Sequence, residues 1–241
     1  MTLLLLAGTG EARMIAQALQ GRDVIASLAG VTRDPEPLAV PVRQGGFGGE
    51  AGFRDFLARE HIHAVLDATH PYAARITARS AAVCAELGLP FCQVLRPAWV
   101  AEDGDLWTEI ATEADAAAHI PMGATVFLGT GRQSLPGFAN LAGRRVICRQ
   151  IDPPEGPFPF AGGEYLVGRP PFSVADETAL FHRLGVDWLV VKNAGGQASA
   201  TKLTAARDLG IPVLMLARPA LGDWPKVESV AAALDWVAKC G

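Results

Sequence analysis

Short apolar runs alternate with helical patterns along the whole chain, and this alternation constrains the fold more than any other feature. Runs typical of buried strands stand at residues 3–7, 24–28, 64–68, 91–95, 125–128, 145–150, 188–192 and 212–217. Helical patterns lie at residues 11–20, 52–60, 73–87, 173–184 and 199–209. Because this alternation is typical of parallel sheets covered by helices, we expect an α/β fold of two doubly wound parallel-sheet lobes, Rossmann-like or flavodoxin-like.

The two halves of the chain also resemble each other in sequence. LGLPFCQVLRPAW at 87–99 matches LGIPVLMLARPAL at 209–221, and a Gly-Thr-Gly turn follows an apolar run at both 8–10 and 129–131. Two copies of one unit predict two lobes with a cleft between them. A glycine that ends a helix and a proline that opens a strand would also produce L-G-[LI]-P in unrelated α/β units.

We expect the lobe boundaries in segments rich in proline, glycine and acidic residues. The first lobe should span residues 1–100 and the second 101–225. A last helix within 226–241 could pack on either lobe.

Composition and charge exclude several classes of protein. Half of the residues are apolar and 19% are charged, with no apolar run of membrane-spanning length and no signal-peptide pattern, so we expect a cytoplasmic protein without a membrane anchor. The net charge of -4 and the lack of a nucleic-acid-binding motif predict no nucleic-acid partner. The four cysteines show no C-x-x-C spacing, and His61 and His63 have no third ligand beside them, so we expect no metal site.

Glycines follow the first strand and stand again at 45–49, which favours nucleotide binding in the first lobe. Ligands bind beyond the carboxyl ends of parallel strands, where Gly8, Thr9 and Gly10 would let a pyrophosphate approach the backbone, with Gly46 in the second cluster. Arg13 stands where a dinucleotide motif would place its third glycine, so the motif alone is a weak signal.

The end of the second predicted strand favours NADPH over NADH. An NAD site usually presents an acidic residue there, whereas residues 27–32 contain none and Arg33 follows. Alternatively, Arg33 is a solvated loop charge beside Asp34.

Basic residues follow the strands of the second lobe: Arg132, Arg149, Lys192, Lys202 and Arg218. Together they point to a substrate with several carboxylates or phosphates, although each lysine alone would usually be a surface residue.

Four segments resemble the precorrin-6A reductases of cobalamin biosynthesis, including the cobalt-precorrin form. They are AGTGEAR near the start, ATHPYA at 68–73, GPF with a later glutamate at 156–164, and VVKNAGG with KLTAAR and GIPVLMLARP at 190–219. The resemblance implies a reductase in which NADPH delivers hydride to one carbon of the precorrin macrocycle while a neighbouring carbon takes a proton. Members often show Gly-Gly-Thr and a serine where this chain has Ala7-Gly8-Thr9 and Ala194.

The resemblance also assigns residues. It places Gly8, Thr9, Gly10, Thr69, His70, Pro71 and Tyr72 on the nicotinamide-nucleotide side, and Lys192, Asn193, Lys202 and Arg218 in the substrate cleft. Tyr72 is the side-chain candidate for donating the proton or positioning the substrate, with a packing role for Tyr72 and protonation by solvent as alternatives. The partners implied are the tetrapyrrole substrate and other cobalamin-pathway enzymes that hand it over.

Two other functions stay open on the residues alone. One is an NADPH-dependent reductase of a different polyanionic substrate, and the other is a two-lobed nucleotide-binding protein without turnover. Oxidation of NADPH that depends on the substrate would separate the enzymes from the binding protein.

Overall fold

The computed structural model describes residues 1–30 and 36–240, and the chain forms two compact units. Unit 1 comprises Met1–Pro97 with Pro219–Gly241, and unit 2 comprises Ala98–Arg218. The chain therefore passes from one unit to the other twice.

Each unit contains one parallel sheet with helices. The strands are β1 Thr2–Leu6, β2 Val24–Leu28, β3 Val42–Gln44, β4 Ile62–Asp67, β5 Phe91–Val94, β6 Trp107–Ile110, β7 Thr125–Leu128, β8 Arg145–Gln150, β9 Gly163–Val167, β10 Trp188–Lys192, β11 Val213–Leu216 and β12 Lys226–Val227. The α-helices are α1 Gly10–Ala18, α2 Gly49–Arg59, α3 Ala74–Leu87, α4 Ala116–His119, α5 Val174–Leu184, α6 Thr201–Asp208 and α7 Val230–Cys240. Short 3-10 helices span Glu113–Asp115, Arg132–Leu141 and Gln197–Ser199.

The sheet of unit 1 has the strand order β12-β5-β4-β1-β2-β3, with all neighbours parallel. Counted within the unit, this is the Rossmann order, whose direction reverses between β1 and β4. The α/β class predicted from the sequence is confirmed. The switch point between β1 and β4 is where a Rossmann sheet binds its ligand.

The sheet of unit 2 repeats this order as β6-β11-β10-β7-β8-β9. Here β7 to β11 correspond to β1 to β5 of unit 1. β6 precedes these strands in the chain and takes the edge position that β12 has in unit 1. The matching segments 87–99 and 209–221 contain β5 and β11, which hold equivalent positions in the two sheets.

The expected boundaries at 100 and 225 differ from this division. Residues 219–225 lie with unit 1 because the Trp224 indole donates a 2.8 Å hydrogen bond from Nε1 to Oε1 of Gln93 and packs edge-on against Phe91. Trp99 lies with unit 2, where Asn193 binds its backbone. The last helix, left unassigned by the sequence, contacts α1, β4 and β5 of unit 1.

Apolar side chains fill both faces of the unit 1 sheet. Leu3 and Leu5 pack into the cluster that includes α1 and α7, while Leu4 and Leu6 pack into the cluster formed by α2 and α3. A strand covered on both faces needs a continuous apolar run, which explains the four consecutive leucines. No helix among residues 1–30 and 36–240 is long and apolar enough to cross a membrane.

Candidate functional site

The first Gly-Thr-Gly turn leaves β1 at the switch point of unit 1 and opens α1. Gly8 adopts φ +146°, a region that L side chains rarely occupy, and a Cβ built on Gly8 or Gly10 would meet no atom within 4 Å. Thr9 caps the helix, since its Oγ1 accepts a 3.2 Å hydrogen bond from the backbone N–H of Ala12 and donates a 2.8 Å bond to the carbonyl of Ala68. The turn is thus rigid and its glycines are open to a ligand.

Charges around this turn are paired in a way that suits an anion. Glu11 lies in the first turn of α1, where its carboxylate would repel a pyrophosphate, but Arg96 binds it at 2.7 Å. Arg13, at the place of the missing third glycine, forms a 2.9 Å ion pair with Glu36. The positive end of the helix dipole therefore remains available to a phosphate group.

A buried carboxyl group supports the loop that follows β4. Asp67 is fully buried, and its Oδ1 accepts a 2.9 Å hydrogen bond from the backbone N–H of Thr69. Burial raises the pKa of Asp67, and the hydroxyl groups of Thr69 and Thr77 partly oppose that rise. Sequence reasoning missed Asp67, although it is the last residue of a buried strand.

The loop itself carries the three other residues assigned to the nucleotide side. Nδ1 of His70 accepts a 3.3 Å hydrogen bond from the backbone N–H of Tyr72, and the two rings lie 5.6 Å apart, while Pro71 is buried. Because Thr9 is bonded to Ala68, this loop and the glycine turn form one edge of the sheet. The structure thus brings residues 8–10 and 69–72 together.

The second glycine cluster follows β3 and is organised by an arginine that the sequence analysis did not select. Arg43 donates hydrogen bonds to Oγ of Ser27 at 2.8 Å, to the carbonyl of Gly45 at 2.9 Å and to the carbonyl of Gly46 at 2.9 Å. Gly46 thus lies beside the carboxyl ends of β2 and β3. Arg33, the predicted NADPH-specific residue, lies outside the described residues.

The second Gly-Thr-Gly turn differs from the first. A Cβ on Gly129 would lie 3.2 Å from Cγ1 of Val191 and 3.5 Å from Cδ of Lys202, so the side chain of Lys202 occupies the space that is open beside Gly8. The turn leads into the 3-10 helix Arg132–Leu141, which contains Pro136, instead of an α-helix. Unit 2 therefore lacks the open glycine turn of unit 1.

Lys202 is a partly buried cation with a perturbed pKa. Its Nζ donates a hydrogen bond to the carbonyl of Ser199 and lies 5.9 Å from the centroid of the Trp99 ring. Burial lowers the pKa of Lys202 to about 8, with Arg149 lowering it further and Glu177 opposing the change. Such an ammonium group can exchange its proton near neutral pH.

Arg149 is neutralised by a buried ion pair. Its two terminal nitrogens each donate a 2.7 Å hydrogen bond to one carboxylate oxygen of Glu177, and the two side chains are only 9% and 1% exposed. The guanidinium also stacks 4.3 Å from the centroid of Phe172. Counting Arg149 among the cations available to an anionic substrate was therefore wrong, because its charge is already compensated within unit 2.

Lys192 and Arg132 are two further basic residues at the carboxyl edge of this sheet. Lys192 ends β10, and burial lowers its pKa while the charge of Glu113 opposes that change. Arg132 begins the 3-10 helix that follows β7 and is partly buried. Since β7 and β10 are neighbours in the sheet, both residues belong to its switch point.

Asn193 holds together both segments that connect unit 2 to unit 1. Its Oδ1 accepts a 2.8 Å hydrogen bond from the backbone N–H of Trp99, and its Nδ2 donates a 3.0 Å bond to the carbonyl of Trp99. The backbone carbonyl of Asn193 accepts a 2.8 Å bond from Nε of Arg218. These contacts give Asn193 a structural task that its assignment to the substrate did not include.

No group of three or more His, Cys, Asp and Glu residues in the described part of the chain could hold a metal ion. Burial raises the pKa of Cys84 to about 12, and those of Cys92 and Cys148 to about 11. These thiols therefore stay protonated at neutral pH.

Comparison with known proteins gives matches over nearly the whole chain. A family model described as "Precorrin-6x reductase CbiJ/CobK" matches residues 2–238. Precorrin-6A reductase of Rhodococcus erythropolis is 44% identical, covering 98% of this chain and 96% of that protein, and precorrin-6A reductase of Rhodobacter capsulatus is 40% identical, covering 99% and 96%. A solved structure described as "CobK precorrin-6A reductase" superposes with a TM-score of 0.95 at 40% identity, covering 100% of this chain and 98% of that one.

Proposed function

Because the chain belongs to the precorrin-6x reductase CbiJ/CobK family, we propose that it reduces precorrin-6A to the dihydro product precorrin-6B with NADPH. The chain is an oxidoreductase, as predicted, and its family implies a nicotinamide cofactor. In the proposed reaction, a carbon–carbon double bond of the macrocycle takes one hydride and one proton. NADPH supplies the hydride when it is bound and leaves as NADP⁺.

The open glycine turn of unit 1 is the observation that carries the cofactor assignment. Gly8 and Gly10 leave free space over the N-terminus of α1, and Arg96 neutralises the carboxylate of Glu11. These residues fit a pyrophosphate, which the backbone N–H groups would hold. The loop at 69–72, tied to the turn through Thr9, is then placed beside the rest of the cofactor.

Basic residues of unit 2 support the assignment of a polycarboxylate substrate. We place the carboxylates of precorrin-6A against Arg132, Lys192, Lys202 and Arg218. Charged hydrogen bonds of this kind are strong where the ammonium groups are partly desolvated, as both lysines are. In this proposal Asn193 supports the cations around it instead of binding the substrate itself.

Two side chains are candidates for delivering the proton. Lys202 has a pKa of about 8, which suits proton donation near neutral pH, and Tyr72 lies at the end of β4 near the glycine turn. We assign the proton to Tyr72, because Lys202 is engaged by a substrate carboxylate in this proposal and such a partner would hold its proton. Replacing Tyr72 with phenylalanine should then lower kcat far more than replacing Lys202 with methionine, which should chiefly raise KM.

The location and the handover of substrate follow from the same proposal. We place the enzyme in the cytoplasm, a reducing compartment that suits three buried cysteines without disulfides. Contact with the enzymes that supply precorrin-6A and consume precorrin-6B remains a prediction, which co-sedimentation of the purified proteins would test.

The deciding experiment is an anaerobic incubation of the full chain with precorrin-6A or its cobalt complex and either NADPH or NADH. Cofactor oxidation and the mass of the tetrapyrrole are followed together. Consumption of NADPH with a gain of two hydrogens by precorrin-6A supports the proposal. Binding of NADPH without oxidation by either acceptor would refute the substrate assignment, and a preference for NADH would refute the cofactor assignment.

A further inference from the structure

Two arginines from different elements share one aromatic ring in unit 1. The guanidinium carbon of Arg43, on β3, lies 4.1 Å from the centroid of Phe47, and that of Arg79, on α3, lies 5.8 Å from the same centroid. Phe47 is itself fixed by edge-on contacts with Phe53 and Phe56. Both guanidinium carbons therefore lie within 5.8 Å of the centroid of one ring that is fixed in an aromatic cluster.

Neither arginine has a carboxylate partner among the described residues. The side-chain hydrogen bonds of Arg43 go to the neutral oxygens of Ser27, Gly45 and Gly46. Nε of Arg79 is buried and has no hydrogen-bond partner in the described part of the chain. Burial lowers the pKa of both guanidinium groups, but arginine stays charged in proteins.

Neighbouring charges among the described residues compensate this pair only in part. Glu50 faces Arg79 and raises its pKa, and it also binds Arg54 at 3.0 Å, which Glu86 binds as well. Arg59 is close enough to lower the pKa of Arg43, and it is ion-paired with Glu60 at 3.0 Å. The site thus carries a net positive charge that a ligand could neutralise.

The glycine loop beside the arginines leaves room for that ligand. A Cβ on Gly45, Gly46, Gly48 or Gly49 would meet no atom of the described residues within 4 Å. The 11-residue helix α2 begins at Gly49, and no side chain in the described part of the chain caps its N-terminus. The Phe47 carbonyl packs against Gly52 of α2, in the place that a Cβ there would need.

The position of this site in the sheet indicates which anion it holds. Arg43 pairs with Ser27 at the end of β2, where a Rossmann sheet places the adenosine ribose of a dinucleotide. Residues 27–30 include no acidic side chain that would bind a free 2′-hydroxyl. We propose that Arg43 and Arg79 form a phosphomonoester site that binds the 2′-phosphate of NADPH and selects it over NADH.

This inference rests on the proposed function and deepens it, since it names the residues that select the cofactor. It is tested without turnover, by titrating the full chain in a calorimeter with 2′,5′-ADP, 5′-ADP and inorganic phosphate. The wild type should bind 2′,5′-ADP at least tenfold more tightly than 5′-ADP, and inorganic phosphate much more weakly than either.

Arg43→Gln and Arg79→Gln should each weaken 2′,5′-ADP binding by roughly 10- to 100-fold, the effect expected for a charged hydrogen bond, with 5′-ADP binding changed less than about threefold. Arg59→Gln is the matched control. The guanidinium carbon of Arg59 lies 5.4 Å from the centroid of Phe56, and that of Arg43 lies 5.3 Å from it, so both charges are equally near this ring. The charge of Arg59, however, is already neutralised by Glu60. The Arg59 substitution should change neither affinity by more than about threefold.

Four results would overturn the inference. The wild type could bind 2′,5′-ADP and 5′-ADP equally tightly, or it could bind inorganic phosphate as tightly as 2′,5′-ADP. The preference for 2′,5′-ADP could also survive both arginine substitutions, or it could be lost only in Arg33→Gln. Because Arg43 also holds the glycine loop, Arg79→Gln provides the variant that leaves the loop contacts intact. Oxidation of NADPH by the wild type in the presence of precorrin-6A tests the proposed function separately.

Discussion

Breaking the buried Arg149–Glu177 pair should destabilise unit 2 strongly. Glu177→Gln keeps the shape of the side chain but leaves the guanidinium of Arg149, 9% exposed, without its counter-charge. Removing one partner of a buried ion pair typically costs about 3–5 kcal/mol, because the remaining charge stays desolvated. The glutamine amide can accept only one of the two 2.7 Å hydrogen bonds, and its NH2 group meets the other donor, so we expect a value in that range from urea unfolding at neutral pH.

An exposed ion pair whose arginine also lies on β8 provides the control. Arg145 on β8 binds Glu164 on β9 at 2.6 Å, but both side chains are about half exposed. Glu164→Gln should therefore cost less than about 1 kcal/mol. The double variant Arg149→Met/Glu177→Leu should recover most of the loss, since apolar side chains can replace a buried pair. Equal losses in the two single variants would show that burial does not determine the strength of these pairs.

Three further predictions concern other residues. The pKa of Lys202 is lowered from 10.5 to about 8 in the folded chain, so the unfolded chain binds more protons between these values and Lys202 should contribute a rise in stability of about 3 kcal/mol from pH 8 to 10.5. The raised pKa values of Cys84, Cys92 and Cys148 act in the opposite direction over this range, so Lys202→Met is compared with the wild type at each pH in urea titrations. A stability difference between the two chains that stays constant from pH 8 to 10.5 would contradict the shift. Gly8→Ala, at φ +146°, should weaken NADPH binding more than tenfold in a fluorescence titration. Gly10→Ala adds a Cβ to the same open space without backbone strain and should weaken binding less, so equal effects would refute the role of φ. Arg144 is buried and donates a 2.9 Å hydrogen bond from Nε to the carbonyl of Ile120 at the end of α4. Arg144→Met should therefore lower the free energy of unfolding by about 1–3 kcal/mol. A change smaller than the error of the urea midpoint would contradict that contribution.

The strands that could be predicted from the sequence are those covered on both faces. Leu3–Leu6 form a continuous apolar run because helices pack on both sides of β1. β6 and β9 were missed because they carry mostly exposed or half-exposed residues at the edges of the unit 2 sheet and so give no apolar run. β12 has two residues, and only its pairing with β5 makes it a strand.

The candidate site residues could be predicted because they follow strands in the sequence. Their hydrogen-bond and ion-pair partners could not be predicted in this way. Residues 8–10 and 69–72 each follow a strand of one parallel sheet, so they lie at the same edge of that sheet. The alternation of strands and helices in the sequence is enough to predict this. The bond between Asn193 and Trp99 joins residues 94 positions apart, and the Arg149–Glu177 pair joins residues 28 apart. Such contacts depend on how side chains pack in three dimensions, which cannot be predicted from the residue pattern of a single sequence. Arg43 was overlooked because its importance comes from Phe47 and Arg79, which lie on other elements.

Gly8 and Gly129 show how one motif serves two physical purposes. Both begin a Gly-Thr-Gly turn after equivalent strands, β1 and β7. Gly8 is required by its backbone angle of +146° and leaves open space, whereas Gly129 is required because the side chains of Val191 and Lys202 approach its backbone. In unit 1 the freed space suits a phosphate, and in unit 2 it holds the stem of a lysine whose pKa is lowered to about 8. A glycine motif therefore indicates that something comes close to the backbone, and the surrounding side chains decide whether that is a ligand or a neighbouring residue.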